Sequence, residues 1–180
     1  MKHLNWPNRL TLLRILMIPL VIVLLVLEKN IAAGVVFALA AATDFLDGFL
    51  ARKYHLVTDF GKFLDPVADK LLVLTAMIMI CSRENTLLPA WGVCVVAARE
   101  LTIDGLRMVA AEKGIVIAAG IFGKIKTVLQ LLCVLSLMFG LPGAVCIGLV
   151  LAMLIMTVVS GVDYLIKGKN VFLPERDKQV

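Results

Sequence analysis

Thr43-Asp44-Phe45-Leu46-Asp47-Gly48-Phe49-Leu50-Ala51-Arg52 and, after a further eight residues, Gly61-Lys62-Phe63-Leu64-Asp65-Pro66-Val67-Ala68-Asp69-Lys70 place four aspartates inside otherwise apolar sequence. If the first stretch is helical, Asp44, Asp47, Gly48, Ala51 and Arg52 fall at offsets 0, 3, 4, 7 and 8 and share one stripe. Gly61, Asp65 and Asp69, at offsets 0, 4 and 8, form a second stripe. Carboxylates crowded into apolar helices repel one another and lose hydration, so a cation or a water-filled cavity has to compensate them. The two stripes therefore predict paired helices built around a metal site.

The rest of the chain has the composition of a membrane protein. It is 61% hydrophobic and 17% charged over 180 residues, with a mean hydropathy of +0.99, which an ordinary soluble domain does not reach. A spanning helix takes about 20 residues plus a short connection. The expected fold is accordingly all-α, a bundle of six transmembrane helices in one membrane-embedded catalytic domain over residues 1–180. A short interfacial segment covers about residues 1–9 and a charged tail about residues 167–180. The formal net charge of +5 points to a membrane surface and not to nucleic acid, because the basic residues cluster between apolar segments and do not run along an exposed stripe. Cys81, Cys94, Cys133 and Cys146 lack paired or Cys/His spacing and read as small buried hydrophobes.

Lys2, His3, Trp6 and Arg9 suit the interface, and Asn8 is placed to cap a first helix running from about Arg9 to Leu27. A signal peptide is the competing interpretation of this start, but the candidate cleavage site near Ala38-Leu39-Ala40 falls inside the next apolar segment, so the helix is expected to be retained. Arg14 is expected to snorkel. Further helices are predicted over about 31–53, 62–79, 91–112, 121–139 and 144–166, with Pro66 in the first turn of the third. In this arrangement Lys2, Arg9, Arg52, Lys53, Lys62, Lys113, Lys167, Lys169, Arg176 and Lys178 share one side, against Lys29 and Arg83 on the other. Both termini and all four aspartates are therefore expected at the cytoplasmic face of the cell membrane.

Oxygen-only, highly anionic donors suit Mg²⁺ or Mn²⁺, and four carboxylates suffice for a pair of ions. Paired hard cations are the usual apparatus of phosphoryl chemistry. Gly48 and Ala51 leave room against the helix backbone on the carboxylate face, and Arg52 one turn on can clamp a phosphate.

Asp44-x2-Asp47-Gly48-x2-Ala51-Arg52-x8-Gly61-x3-Asp65-x3-Asp69 resembles the full signature of the CDP-alcohol phosphatidyltransferase family. Pro7-Asn8-x-Leu10-Thr11-x2-Arg14, Arg99-Glu100, Gly105-Leu106-Arg107, Ala110-Ala111-Glu112-Lys113-Gly114 and Gly123-Lys124-x-Lys126-Thr127 resemble its bacterial members that use glycerol 3-phosphate. The resemblance thus covers about Pro7 to Thr127 and leaves the last helix and tail with little to contribute. It implies a six-helix membrane enzyme, commonly a homodimer among membrane lipids, that moves a phosphatidyl group from CDP-diacylglycerol to an alcohol and releases CMP. Carried onto this chain, it makes Asp44, Asp47, Asp65 and Asp69 the ligands of two divalent cations, Mg²⁺ or Mn²⁺, with Asp69 also the general base. Gly48, Ala51, Arg52 and Gly61 would meet the CDP moiety.

The acceptor pocket rests on the remaining cations. Arg99 and Arg107 lie about two turns apart, and Lys124 and Lys126 begin the fifth helix on the same side. Together they are expected to bind the phosphate of glycerol 3-phosphate. The blander alternative pairs such cations with Glu100 and Asp104, and it is preferred for Lys62, Lys70 and Lys113. Other acceptors, such as inositol phosphate, serine or a second lipid, would leave the same motif intact. A carboxylate-lined cation transporter is the alternative from another class, disfavoured because no matching polar set faces the opposite side. A noncatalytic lipid-binding protein would leave the base-like Asp69 unexplained.

Overall fold

In a computed structural model, the described residues are 6–54, 59–114 and 120–172, with side chains described at 12–43, 67–114 and 120–169. Six helices account for them: α1 (Trp6–Val26), α2 (Asn30–Tyr54), α3 (Asp59–Cys81), α4 (Ala90–Glu112), α5 (Ile121–Met138) and α6 (Gly143–Phe172). No strand occurs among the described residues, in line with the all-α expectation.

Three boundaries differ from those predicted. Helix α1 begins at Trp6, so Asn8 lies within it and does not cap it. Helix α3 begins at Asp59, which moves Pro66 into the second turn. Helix α6 continues to Phe172, beyond Ile166 where the apolar run stops. An ion pair one turn apart, Lys167 Nζ to Asp163 Oδ2 at 2.7 Å, accompanies this extension. So does close packing on α4, since a Cβ on Gly168 would sit 2.6 Å from Leu106 Cδ2 and would require that leucine to shift.

Helix α1 packs on α2 and α3, α5 on α6, and α4 chiefly on α6, while α3 joins the groups through α4 and α5. The core is formed by Val21 and Leu25 of α1, Phe37 of α2, Leu72 and Met77 of α3, and Met138 and Met153 of α5 and α6. Arg83, in the α3–α4 turn, ties together the end of α1 and the start of α2 by donating to the Leu25 carbonyl and to Asn30 Oδ1, both at 2.6 Å. Arg14, expected to snorkel, is instead fully buried. A guanidinium in that position belongs to the interior polar structure of the bundle and not to its anchoring.

The outer faces carry large apolar side chains on every helix, among them Leu16, Leu39, Ile78, Leu101, Val128 and Ile155. An apolar exterior of that extent is unfavourable in water and suited to lipid. Among the described residues, Ile121–Met138 and Gly143–Lys169 are long and apolar enough to cross a membrane, with shorter apolar helical stretches at Leu12–Val26 and Asn30–Thr43. Asp69 and Lys70 in α3, and Arg99, Glu100, Asp104 and Arg107 in α4, interrupt those helices with charge.

Candidate active site

Asp44, Asp47, Gly48, Ala51 and Arg52 lie on the C-terminal half of α2, and Gly61, Asp65 and Asp69 on the N-terminal half of α3. Both stretches are therefore helical, as the stripes require. The side chains at 44–66 lie outside the described residues, so Asp69 alone represents the four carboxylates. Among the described residues no three His, Cys, Asp or Glu side chains gather as a metal site. The donor chemistry of the motif nonetheless fits hard divalent cations, because its acidic members offer only oxygen.

Asp69 lines a cavity of about 60 Å³ together with Lys70, Val73, Leu74, Glu100, Lys126, Thr127 and Gln130. The cavity joins the end of the aspartate motif on α3 to charged residues of α4 and α5. Glu100 is its anchor. It is 4% exposed and takes a hydrogen bond from Lys126 Nζ, while Lys70 Nζ and Arg99 Nη1 each approach Glu100 Oε2 at 3.6 Å. Lys70 also pairs with Asp104. One buried carboxylate thus holds three cations in place, an arrangement tolerable in an apolar interior because the charges compensate one another.

The four cations expected around the acceptor separate into different environments. Lys126 is as buried as Glu100 and turned towards it, while Lys124 is exposed near the start of α5. Arg99 and Arg107 come together on Tyr164 of α6, their guanidinium carbons 5.3 and 5.7 Å from the ring centre. Arg99 is the more informative of the two. Its side chain is only 11% exposed, and its Nε and Nη2 are buried with no hydrogen-bond acceptor among the described residues. Those two atoms form one edge of the guanidinium fork, the geometry that meets two oxygens of a phosphate or carboxylate. Leaving such donors buried and unmet costs free energy, so the edge suits an oxyanion.

Two contributions escaped the sequence. Glu100 figured there in the Arg99-Glu100 resemblance and as an ion-pair partner for neighbouring cations, and its burial went unread, since helix spacing shows which residues share a face but not how deeply that face is buried. Tyr164 lay in the last helix, to which the resemblance gave little to contribute; its one signal was a polar-tipped aromatic next to Asp163 within an apolar run.

The sequence model of the CDP-alcohol phosphatidyltransferase family matches residues 4–162. The chain belongs to that family. Within it, a Bacillus subtilis (strain 168) protein is 43% identical over 149 residues, covering 74% of this chain and 76% of the relative. A Rickettsia typhi protein is 39% identical over 143 residues, covering 78% and 79%. A Pseudomonas fluorescens protein is 46% identical over 114 residues, covering 62% and 58%. All three are named CDP-diacylglycerol--glycerol-3-phosphate 3-phosphatidyltransferase. Against this CDP-alcohol phosphatidyltransferase frame, Asp44 through Asp69, Arg99, Arg107, Lys124 and Lys126 lie within the matched region, and Tyr164 lies just past its end.

Proposed function

We propose that this phosphatidyltransferase is a phosphatidylglycerophosphate synthase, which transfers the phosphatidyl group of CDP-diacylglycerol to glycerol 3-phosphate and releases CMP. The relatives' names support the acceptor, and the buried fork edge of Arg99 beside Arg107 is the structural observation that carries it. A phosphate-bearing acceptor fits two adjacent arginines and would supply oxygens to the buried Nε and Nη2 of Arg99, which an uncharged alcohol would not.

The proposed setting is a six-span bundle in the cell membrane, commonly a homodimer as the family resemblance implies, with both termini and the site on the cytoplasmic side. Helix lengths support six spans, since the shortest, α5, has 18 residues, or about 27 Å at about 1.5 Å per residue. The apolar exterior supports it too, and the lysine and arginine asymmetry supports the orientation. Such a site would receive lipid from the bilayer and glycerol 3-phosphate from the cytosol.

In the proposed mechanism, Gly48, Ala51, Arg52 and Gly61 bind the CDP portion, the small residues by admitting it close to the backbone and Arg52 by pairing with phosphate. Two divalent cations, Mg²⁺ or Mn²⁺, held by Asp44, Asp47, Asp65 and Asp69, would supply charge neutralisation of the diphosphate and of the departing CMP. Arg99 and Arg107 hold the acceptor phosphate, with Lys124 at the cytoplasmic edge. Lys126 contributes positive potential to the pocket from its pair with Glu100. Asp69 takes the proton of the acceptor's primary hydroxyl as its oxygen bonds to the phosphorus bearing diacylglycerol. The bond from that phosphorus to the bridging oxygen breaks, and CMP leaves with the electron pair.

The test is CMP release by the purified protein in detergent with CDP-diacylglycerol and a panel of glycerol 3-phosphate, inositol phosphate, serine and glycerol. Turnover confined to glycerol 3-phosphate is expected. Preference for another acceptor would overturn the acceptor assignment, and no CMP release with any acceptor would overturn the activity.

A further inference from the structure

Arg99 and Arg107 approach the same aromatic ring from α4, that of Tyr164, and a ring shared by two like charges favours both positions. Tyr164 is 3% exposed, and each guanidinium carbon lies within 6 Å of its ring centre, where the ring's negative face attracts cations. The ring is itself fixed from α5. Gly120 donates its backbone N–H to the Tyr164 hydroxyl at 3.2 Å, and a Cβ on Gly123 would meet the ring at 3.2 Å, so glycine there leaves room for the tyrosine. One turn earlier on α6, a Cβ on Gly161 would lie 3.3 Å from Arg99 Cγ. The same face of α6 therefore supports both the stem and the head of that arginine.

We infer that Tyr164 is a positioning residue for acceptor binding: its ring holds Arg99 and Arg107 side by side, so that the Nε/Nη2 edge of Arg99 is presented to the acceptor's phosphate. This rests on the acceptor reading above. Glu100 draws Nη1 of Arg99 to one side, the ring restrains the guanidinium group beside it, and the opposite edge is left for two phosphate oxygens. The ring supplies the restraint and the hydroxyl only seats the ring. Helix α6, apolar in most of its length, thereby sets the geometry of a site whose ionic residues come from α3, α4 and α5.

The experiment measures kcat and both substrate KM values for Tyr164→Leu, Tyr164→Phe and Arg107→Ala, with thermal unfolding of each in detergent. Tyr164→Leu should raise the KM for glycerol 3-phosphate roughly 3- to 30-fold, the range of a cation–π contact. The KM for CDP-diacylglycerol should stay within about twofold. Tyr164→Phe retains the ring and should recover most of the acceptor affinity, a rescue that a purely structural role for the hydroxyl would not give. If Arg107→Ala raises the acceptor KM and Tyr164→Leu does not, the positioning role is wrong and the acceptor reading stands. Equal rises in both KM values, or failure of Tyr164→Phe to recover affinity, would also overturn it. If Arg107→Ala leaves the acceptor KM unchanged, the acceptor reading falls and the positioning role with it.

Discussion

Lys126 of α5 donates a hydrogen bond to Glu100 of α4 with both side chains about 5% exposed, so the two helices are joined by an almost wholly buried ion pair. Removing one partner of such a pair strands the other charge, at a cost of about 3–5 kcal/mol, whereas removing both together costs much less. Lys126→Met should therefore lower stability towards the smaller end of that range, because Lys70 and Arg99 remain near Glu100. Thermal unfolding in detergent checks this, and Glu100→Gln with Lys126→Met should be more stable than Lys126→Met alone. A Lys126→Met protein as stable as the parent, altered only in its acceptor KM, would assign the lysine to the ligand and not to the pair.

Arg99 is expected to be irreplaceable by lysine. Arg99→Lys keeps a positive charge in reach of Glu100 but loses the fork edge formed by Nε and Nη2. A hydrogen bond to a charged group is worth about 1.5–3 kcal/mol, so the KM for glycerol 3-phosphate should rise by roughly one to two orders of magnitude. Steady-state kinetics with each substrate varied in turn checks this, and the KM for CDP-diacylglycerol should be little changed. Parent-like kinetics would mean that a point charge suffices there.

Much of the fold was legible because the bundle is written in apolar runs and polar turns, and the connection between α3 and α4 and the start of α4 fell within a few residues of where those signals placed them. The aspartate stripes were legible as helical faces because period alone defines a face. Depth was not. Arg14 in α1 and Lys126 in α5 carry the same kind of cation that snorkels at a helix end, and whether such a residue reaches the surface or the interior depends on which neighbour packs over it. Tyr164 illustrates the same limit, since it meets Arg99 and Arg107 across some 60 residues of intervening chain. Asn8 and Pro66 were misplaced by a turn or less because local sequence fixes helix ends less sharply than helix interiors.

Arg83 should matter for stability and not for turnover. Its two hydrogen bonds, to Asn30 and to the Leu25 carbonyl, cross-link the α1–α2 and α3–α4 turns. Asp69 is separated from that end by the length of α3 from Asp69 to Cys81, roughly 18 Å of helix at about 1.5 Å per residue. Arg83→Ala should cost about 1–3 kcal/mol, because a carbonyl near the end of α1 loses its side-chain partner. A lowered unfolding midpoint with kcat and both KM values within about twofold of the parent is the expected outcome. A selective loss of turnover would show that this turn is coupled to the site.

The aspartates should divide by role. A hard divalent cation relies on several anionic oxygens, so Asp44→Ala, Asp47→Ala and Asp65→Ala should each weaken metal binding and abolish CMP release, and neither loss should be reversed by more substrate. Excess EDTA should likewise stop the parent enzyme, with Mg²⁺ or Mn²⁺ restoring it. Asp69 differs in lying beside Glu100 and Lys126 in the shared cavity, with a proton to accept as well as a cation to hold. Asp69→Asn keeps the shape and one oxygen but cannot act as a base, so it should retain more metal affinity than the alanine variants while turnover falls by about 10²–10⁴, the usual contribution of general-base catalysis. Calorimetric titration with Mn²⁺, set beside single-turnover CMP release, separates the two losses. Parent-like turnover by Asp69→Asn would remove the base assignment, and full activity in excess EDTA would remove the metals.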